Sequence, residues 1–201
     1  MKVLGISCSP RKKGNTVILL EETLRGAAEH GADIELFSVS DKDIRGCDGC
    51  YSCFAKGECH IQDDMQALYE KLMVADGIVF GSPIHIYGMT AQAKAILDRT
   101  IALNKPGKSL ANKVGGVIVV AGSIGIIDAL KDFYFFITLQ RMLPANFVAA
   151  YATVKGEAAK LEKGMNAAFR LGKEIVQLVD KKFEFPNEFP RNFFAFGTHT
   201  H

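Results

Sequence analysis

Four cysteines, Cys47, Cys50, Cys53 and Cys59, stand in the run CDGCYSCFAKGECHIQDD at the spacing C-x2-C-x2-C-x5-C. Three thiols at this spacing can curl around one corner of an iron–sulfur cube, and a short loop can return the fourth. Two other uses compete. A structural zinc site prefers two C-x2-C knuckles separated by about a dozen residues or more, whereas here the second and third thiols are only three apart. A disulfide between adjacent pairs strains the loop and does not persist in a reducing cytosol. A [4Fe–4S] cluster fits the pattern best. Gly46, Gly49 and Gly57 let the backbone turn tightly and aim N–H groups at the sulfurs. Ferredoxin runs close with x3 and a proline; this one closes with x5 and then His60, so its fourth thiol is expected to complete the same cluster. His60 reads either as a donor behind the ligands or as a surface residue, and Cys8 as a small residue at a strand end.

A second polar group follows the first apolar run, in SCSPRKKGNT. It matches neither the dinucleotide fingerprint nor the Walker pattern. It offers the hydroxyls and amides of Ser7, Ser9, Gly14, Asn15 and Thr16, with Arg11, around a helix start. Such a start has unpaired N–H groups and a partial positive charge, which suit a phosphate monoester. The plainer reading is a capped helix, with Asn15 or Thr16 as the cap and Arg11, Lys12 and Lys13 in solvent. A third group lies in SPIHIYGMTAQAKAILDR, where Pro83 and Gly88 bracket a tight loop. Its backbone can offer N–H and C=O groups to the edge of a flat heteroaromatic ring, with His85 and Tyr87 beside it; singly, each also reads as a surface or packing residue. Asp98 and Arg99 read as helix-face charges pairing with neighbours.

The elements that must position these groups alternate. Strands are predicted at 2–7, 33–39, 77–83, 113–122 and 147–151, and helices at 15–30, 64–74, 90–103, 126–143 and 157–182. The cysteine stretch, 41–64, has no period of its own. Five apolar strands between helices predict an α/β fold with a parallel sheet covered on both faces. Ligands of such sheets bind beyond the carboxyl ends of the strands, which here carry Ser7 to Thr16, Ser82 to Gly88 and Gly122 to Gly125. The composition, 48% apolar and 23% charged in 201 residues, suits one globular domain. A net charge of +2 gives no reason to expect nucleic acid or a membrane surface, and no apolar run approaches the ~18 residues of a membrane span. The opening MKVLGISCSPRKKG lacks the apolar core of a secretory signal, so a cytoplasmic location is expected.

Together, GISCSPRKKGNT, the cysteine run with its trailing Asp63-Asp64-Met65, ADGIVFGSPIHIYGMTAQAKAILDR, the 114–125 strand and loop, and the closing FGTHTH resemble the flavodoxin-like NAD(P)H-dependent FMN reductase superfamily. The cysteine spacing makes the chain similar to its iron–sulfur flavoprotein branch. The resemblance implies a doubly wound five-stranded parallel sheet in the order 2-1-3-4-5. It implies an FMN-binding domain over 1–182, with the cluster loop inserted after strand 2, and an extended C-terminal arm over 183–201. It also implies one FMN and one [4Fe–4S] cluster per subunit. Ser7, Ser9, Arg11, Asn15 and Thr16 would hold the FMN phosphate. Pro83, Ile84, His85, Ile86, Tyr87 and Gly88 would line the isoalloxazine, largely by backbone, and Gly122 and Ser123 would meet its other edge. Cys47, Cys50, Cys53 and Cys59 would ligate iron. Two departures stand out: Ser-Cys-Ser where relatives often have Ser-Gly-Ser, and AGSIGIIDA where relatives often carry a more Gly-rich stretch with Gln.

FMN handles electrons in pairs or singly and a cluster handles them singly. The resemblance thus implies an oxidoreductase that takes electrons from a ferredoxin-like donor and passes them to a small-molecule acceptor such as dioxygen, peroxide or a quinone-type compound. No hydrolytic residue set competes. The rivals are an FMN-dependent NAD(P)H oxidoreductase without a cluster and a non-enzymatic flavodoxin-like carrier. The +2 charge counts mildly against the carrier, since carriers tend to be acidic. Six phenylalanines (183, 185, 189, 193, 194 and 196) crowd the tail, and Pro186 and Pro190 forbid a continuing helix. An arm this apolar either packs on its own core or crosses to a partner, and a homo-oligomer, a dimer or tetramer, is favoured; the resemblance implies that a cluster on one subunit then approaches a flavin on another. His199 and His201 read as a family-like terminus.

Overall fold

The computed structural model describes residues 1–104 and 109–186. Five parallel strands, β1 (Lys2–Ser7), β2 (Asp33–Ser38), β3 (Gly77–Pro83), β4 (Val114–Ala121) and β5 (Leu143–Tyr151), form one sheet in the order β2-β1-β3-β4-β5. This is the doubly wound order expected. The central strands are apolar along their length because helices cover both faces. Alternate side chains of β4 separate accordingly. Val117 and Val119 enter one core with Leu68, Ile96 and Phe133, while Ile118 and Val120 enter the other with Leu20 and Ile175.

Helices α1 (Asn15–Ala28) and α6 (Glu162–Asp180) lie on one face. On the other lie α3 (Met65–Val74), α4 (Ala91–Arg99) and α5 (Ile126–Leu139), while the short α2 (Ser52–Lys56) belongs to the cysteine loop. α1 and α6 cross at their glycines. A Cβ built on Gly172 would stand 1.9 Å from the Thr23 carbonyl oxygen, and one on Gly26 2.1 Å from that of Phe169.

Boundaries differ from the sequence reading at the ends. α4 stops at Arg99 and continues as a 3₁₀ turn over Thr100–Leu103, α5 stops at Leu139, and a 3₁₀ turn over Glu157–Lys160 precedes α6. β5 begins at Leu143 instead of 147. Its Pro144 lacks an N–H, but β5 is an edge strand, where a missing donor is tolerated. The first turn of the tail is fastened: the Phe185 N–H donates to Asn112 Oδ1 at 3.0 Å, and Arg141 donates to the Pro186 carbonyl at 2.8 Å. The rest of the arm, with Phe189, Phe193, Phe194, Phe196, His199 and His201, lies outside the described residues. Among the described residues no helix is long and apolar enough to cross a membrane.

Candidate functional site

The loops after β1, β3, β4 and β5 meet at the carboxyl edge of the sheet and enclose a cavity of about 250 Å³. Ser9, Arg11, Asn15, Thr16, Pro83, Ile84, His85 and Gly122 line it, joined by Thr153, which sequence reasoning did not single out. Ser7, Ile86, Tyr87, Gly88 and Ser123 are not in its wall. Helix α1 starts here with Gly14 at its cap position, so no side chain takes up its first N–H groups. Ser9 Oγ accepts from the Arg11 N–H at 3.2 Å and shapes the turn before the helix. Ser7 Oγ is buried and has no hydrogen-bond partner among the described residues. A capless helix start, an orphaned buried hydroxyl and an exposed Arg11 suit an anionic group such as the FMN phosphate.

Asn15 has a second task. Its Oδ1 accepts from the Ala158 N–H at 3.1 Å, and its Nδ2 donates to the carbonyls of Val154 at 2.9 Å and Ala152 at 3.4 Å. The side chain therefore ties the start of α1 to the segment after β5, and Asn15 meets the cavity as the first residue of α1. It is not the side-chain cap that one reading of the sequence made it. Cys8 does not crowd the turn before α1: its side chain is 1% exposed within the core, and burial pushes its thiol pKa up to about 12. Thr90 links two walls of the site. Its hydroxyl donates to the Cys8 carbonyl at 2.9 Å and accepts the Ala93 N–H at the start of α4, while the Thr90 N–H donates to Ser82 Oγ.

The loop over residues 85–88 is a tight turn closed by mutual backbone bonds between His85 and Gly88, at 3.0 and 3.2 Å. Its central residues, Ile86 (φ 44°) and Tyr87 (φ 65°), both occupy the left-handed region. That pattern is normally filled by Asn and Gly, and a β-branched residue there is strained. Ile86 is 93% exposed and Tyr87 60%. Gly125 (φ +99°) lets the turn approach, since a Cβ there would lie 2.6 Å from Tyr87 Cα.

The cysteine loop is held at a neck. The Asp43 N–H donates to Asp64 Oδ2 at 2.7 Å and the Arg45 N–H to Asp63 Oδ2 at 2.9 Å. Arg99 closes the neck from below. Its guanidinium grips both Asp63 oxygens, at 2.9 and 3.1 Å, and donates to the carbonyls of Arg45 and Ile61. Both side chains of this pair are 1% exposed. Burial pushes the Asp63 carboxyl up, but Arg99 and the N–H groups of Arg45 and Met65 outweigh it and hold the group below its ordinary range. Arg99 is thus no helix-face charge; Asp98 is, paired with Lys94 at 2.5 Å.

Beyond the neck Cys47 and Cys50 are exposed and Cys53 and Cys59 half-buried. Asp48 Oδ1 accepts the Cys50 N–H, and Asp48 Oδ2 meets His60 Nε2 at 2.6 Å. His60 therefore has a partner within the loop. Gly49 and Gly57 turn the backbone at positive φ; Gly46 does not. Four thiols on one short loop, two of them exposed, are the donor type a cubane takes, one thiolate per corner; the ligand atoms the loop brings within 4.8 Å of one another are those of Asp48, Cys50 and His60. The loop folds back along α3. Cys59 lines a cavity of about 460 Å³ with Tyr69, Met73 and Leu103, and no residue of 41–64 lines the carboxyl-edge cavity.

Comparison with known proteins agrees with the fold. The family model for NADPH-dependent FMN reductases matches residues 1–154. An iron–sulfur flavoprotein of Methanocaldococcus jannaschii is 35% identical over 189 residues, covering 89% of this chain and 97% of that protein. One from Archaeoglobus fulgidus is 30% identical over 185 residues, covering 91% and 82%. A flavodoxin from the domain Archaea superposes with a TM-score of 0.61 at 18% identity, covering 90% of this chain and 99% of that one, which speaks to the fold alone. With the match spanning β1 through β5 and both cavity and cysteine loop, the chain belongs to the NADPH-dependent FMN reductase family of flavin-dependent oxidoreductases, in its iron–sulfur flavoprotein branch.

Proposed function

We propose that this protein is an iron–sulfur flavoprotein that carries electrons from a one-electron donor of the ferredoxin class to a small oxidant such as dioxygen, peroxide or a quinone-type compound. FMN and a [4Fe–4S] cluster supply the chemistry of converting single electrons to pairs. The protein's residues bind and orient them. The α1 start, Ser7, Ser9, Arg11 and Thr16 take the phosphate. Pro83 to Gly88 and Gly122 to Ser123 present backbone groups to the ring, and Cys47, Cys50, Cys53 and Cys59 take the iron.

The observation that carries this reading is the coexistence, on one rigid sheet, of an anion-ready cavity and a separately clamped four-thiol loop. The loop lies outside the cavity wall, so the two centres work together across a subunit contact, in a homodimer or homotetramer. An anaerobic preparation decides the cofactors: about one FMN with iron and acid-labile sulfide supports the reading, and FMN without iron or sulfide refutes it. Turnover that requires reduced ferredoxin supports the donor assignment. Equal turnover with NAD(P)H and no ferredoxin moves the protein to the NAD(P)H oxidoreductases. Cys50→Ala is expected to remove the cluster and leave FMN bound; loss of both would make the loop part of the flavin pocket.

A further inference from the structure

Arg99 is nearly inaccessible yet makes four bonds to two stretches that flank the cysteines, Arg45 on one side and Ile61 and Asp63 on the other. Its own backbone carbonyl accepts the Tyr69 hydroxyl at 2.9 Å, and Tyr69 shares its cavity with Cys59. Gln66 adds a donor to the Ile61 carbonyl at 2.7 Å. Arg99 is thus held at its backbone by Tyr69 and at its guanidinium by the neck. Its Nε–H is buried without an acceptor among the described residues. Gln66 also reaches the Cys59 carbonyl, at 3.5 Å, and Arg99 itself donates to the Ile61 carbonyl two residues on, at 3.3 Å, which places its charge near Cys59. A charge in a poorly solvated place acts more strongly than one at the surface, and net charge near a cluster is one lever on its potential.

We propose that Arg99 is a positioning residue for the cysteine loop, setting the separation of its two ends, and that its fixed positive charge beside Cys59 makes the loop's cluster easier to reduce, with Asp63 opposing that effect. The proposal rests on the reading that the four thiols hold a cluster. If wild-type protein purified anaerobically has FMN but no iron or sulfide, that reading fails; the tests below apply to protein that holds both.

The experiment is a redox titration of the cluster, followed by its electron paramagnetic resonance, in Arg99→Gln, Arg99→Lys and Asp63→Asn, with FMN content and iron per FMN measured in each. Arg99→Gln is expected to lower the equilibrium constant for cluster reduction about tenfold, which is about 59 mV for one electron. Asp63→Asn, which keeps shape but loses the negative charge, is expected to raise it. Arg99→Lys keeps the charge and loses the fork, so its potential stays near wild type while its iron per FMN falls by half or more. Shifts of the same sign in Arg99→Gln and Asp63→Asn, as simple loosening would give, overturn the proposal, as does no shift in either. If Arg99→Gln loses its FMN as well, Asp63→Asn decides: a potential that is unchanged or lower overturns the proposal. Full iron per FMN in Arg99→Lys overturns the positioning role.

Discussion

Asn15 offers the sharpest test of how the carboxyl-edge cavity is built. A side-chain role in binding phosphate predicts that Asn15→Ala weakens FMN binding and leaves the FMN-free protein as stable as before. The structure predicts the reverse emphasis. Three bonds join this buried side chain to Ala152, Val154 and Ala158. Each contributes about 1 kcal/mol net, and truncation leaves the partners unpaired. The expected loss is about 3 kcal/mol, or about 6–12 °C in Tm for a domain of this size. Asn15→Asp keeps the acceptor for the Ala158 N–H but turns an oxygen toward two carbonyls in a buried place, so its loss is expected to be at least as large as that of Asn15→Ala. Urea unfolding of FMN-free protein, followed by circular dichroism, gives these values, and quenching of FMN fluorescence gives the affinity. FMN-free Asn15→Ala with stability within about 0.5 kcal/mol of wild type, together with weakened FMN binding, would refute the strut assignment.

Gly172→Ala sets a methyl against the Thr23 carbonyl, backbone that cannot rotate away, and is expected to destabilise by at least the 1–3 kcal/mol typical of overpacking; wild-type urea midpoints would show that the helices part freely. In FMN-loaded protein stripped of iron by a chelator, iodoacetamide at about pH 8 is expected to modify the four loop cysteines and spare Cys8, whose thiol is buried with its pKa near 12; alkylation of Cys8 at the loop's rate contradicts its placement. Glu35 accepts from Lys2 and Lys71, which hold its carboxyl below the ordinary 4.5. A depressed carboxyl contributes stability above its unfolded pKa and loses it as pH falls through the folded value. Glu35→Gln should therefore cost about 1 kcal/mol or less at neutral pH and nothing in acid, and a cost that persists in acid assigns it to packing instead.

The alternation of apolar runs was enough to place all five strands, because a parallel sheet buried on both faces leaves a continuous apolar signature such as Val114–Ala121. The start of β5 was hidden by Pro144, whose tolerance depends on the strand being at an edge, a fact of topology. In the site, spacing singled out the cysteines and the hydroxyl-rich turn before α1. It missed Arg99, which has the same local context as its exposed neighbour Asp98. What distinguishes it is Asp63, 36 residues away in the chain, and the Arg45 carbonyl, 54 away. The one signal was the Asp63-Asp64 pair behind the last cysteine, two adjacent acids that call for donors. Asn15 was legible as part of the site but its partners, about 140 residues on, were not.

The neck beneath the cysteines is tied by Asp43, Arg45, Asp63, Asp64 and Arg99, protein to protein. In small zinc modules the metal is what folds the chain, and losing it unfolds the module. Here the ends of the loop are anchored by bonds between protein groups, and the thiols hang from that frame. On the proposed reading, a molecule that has lost its cluster would keep the frame into which another could be built.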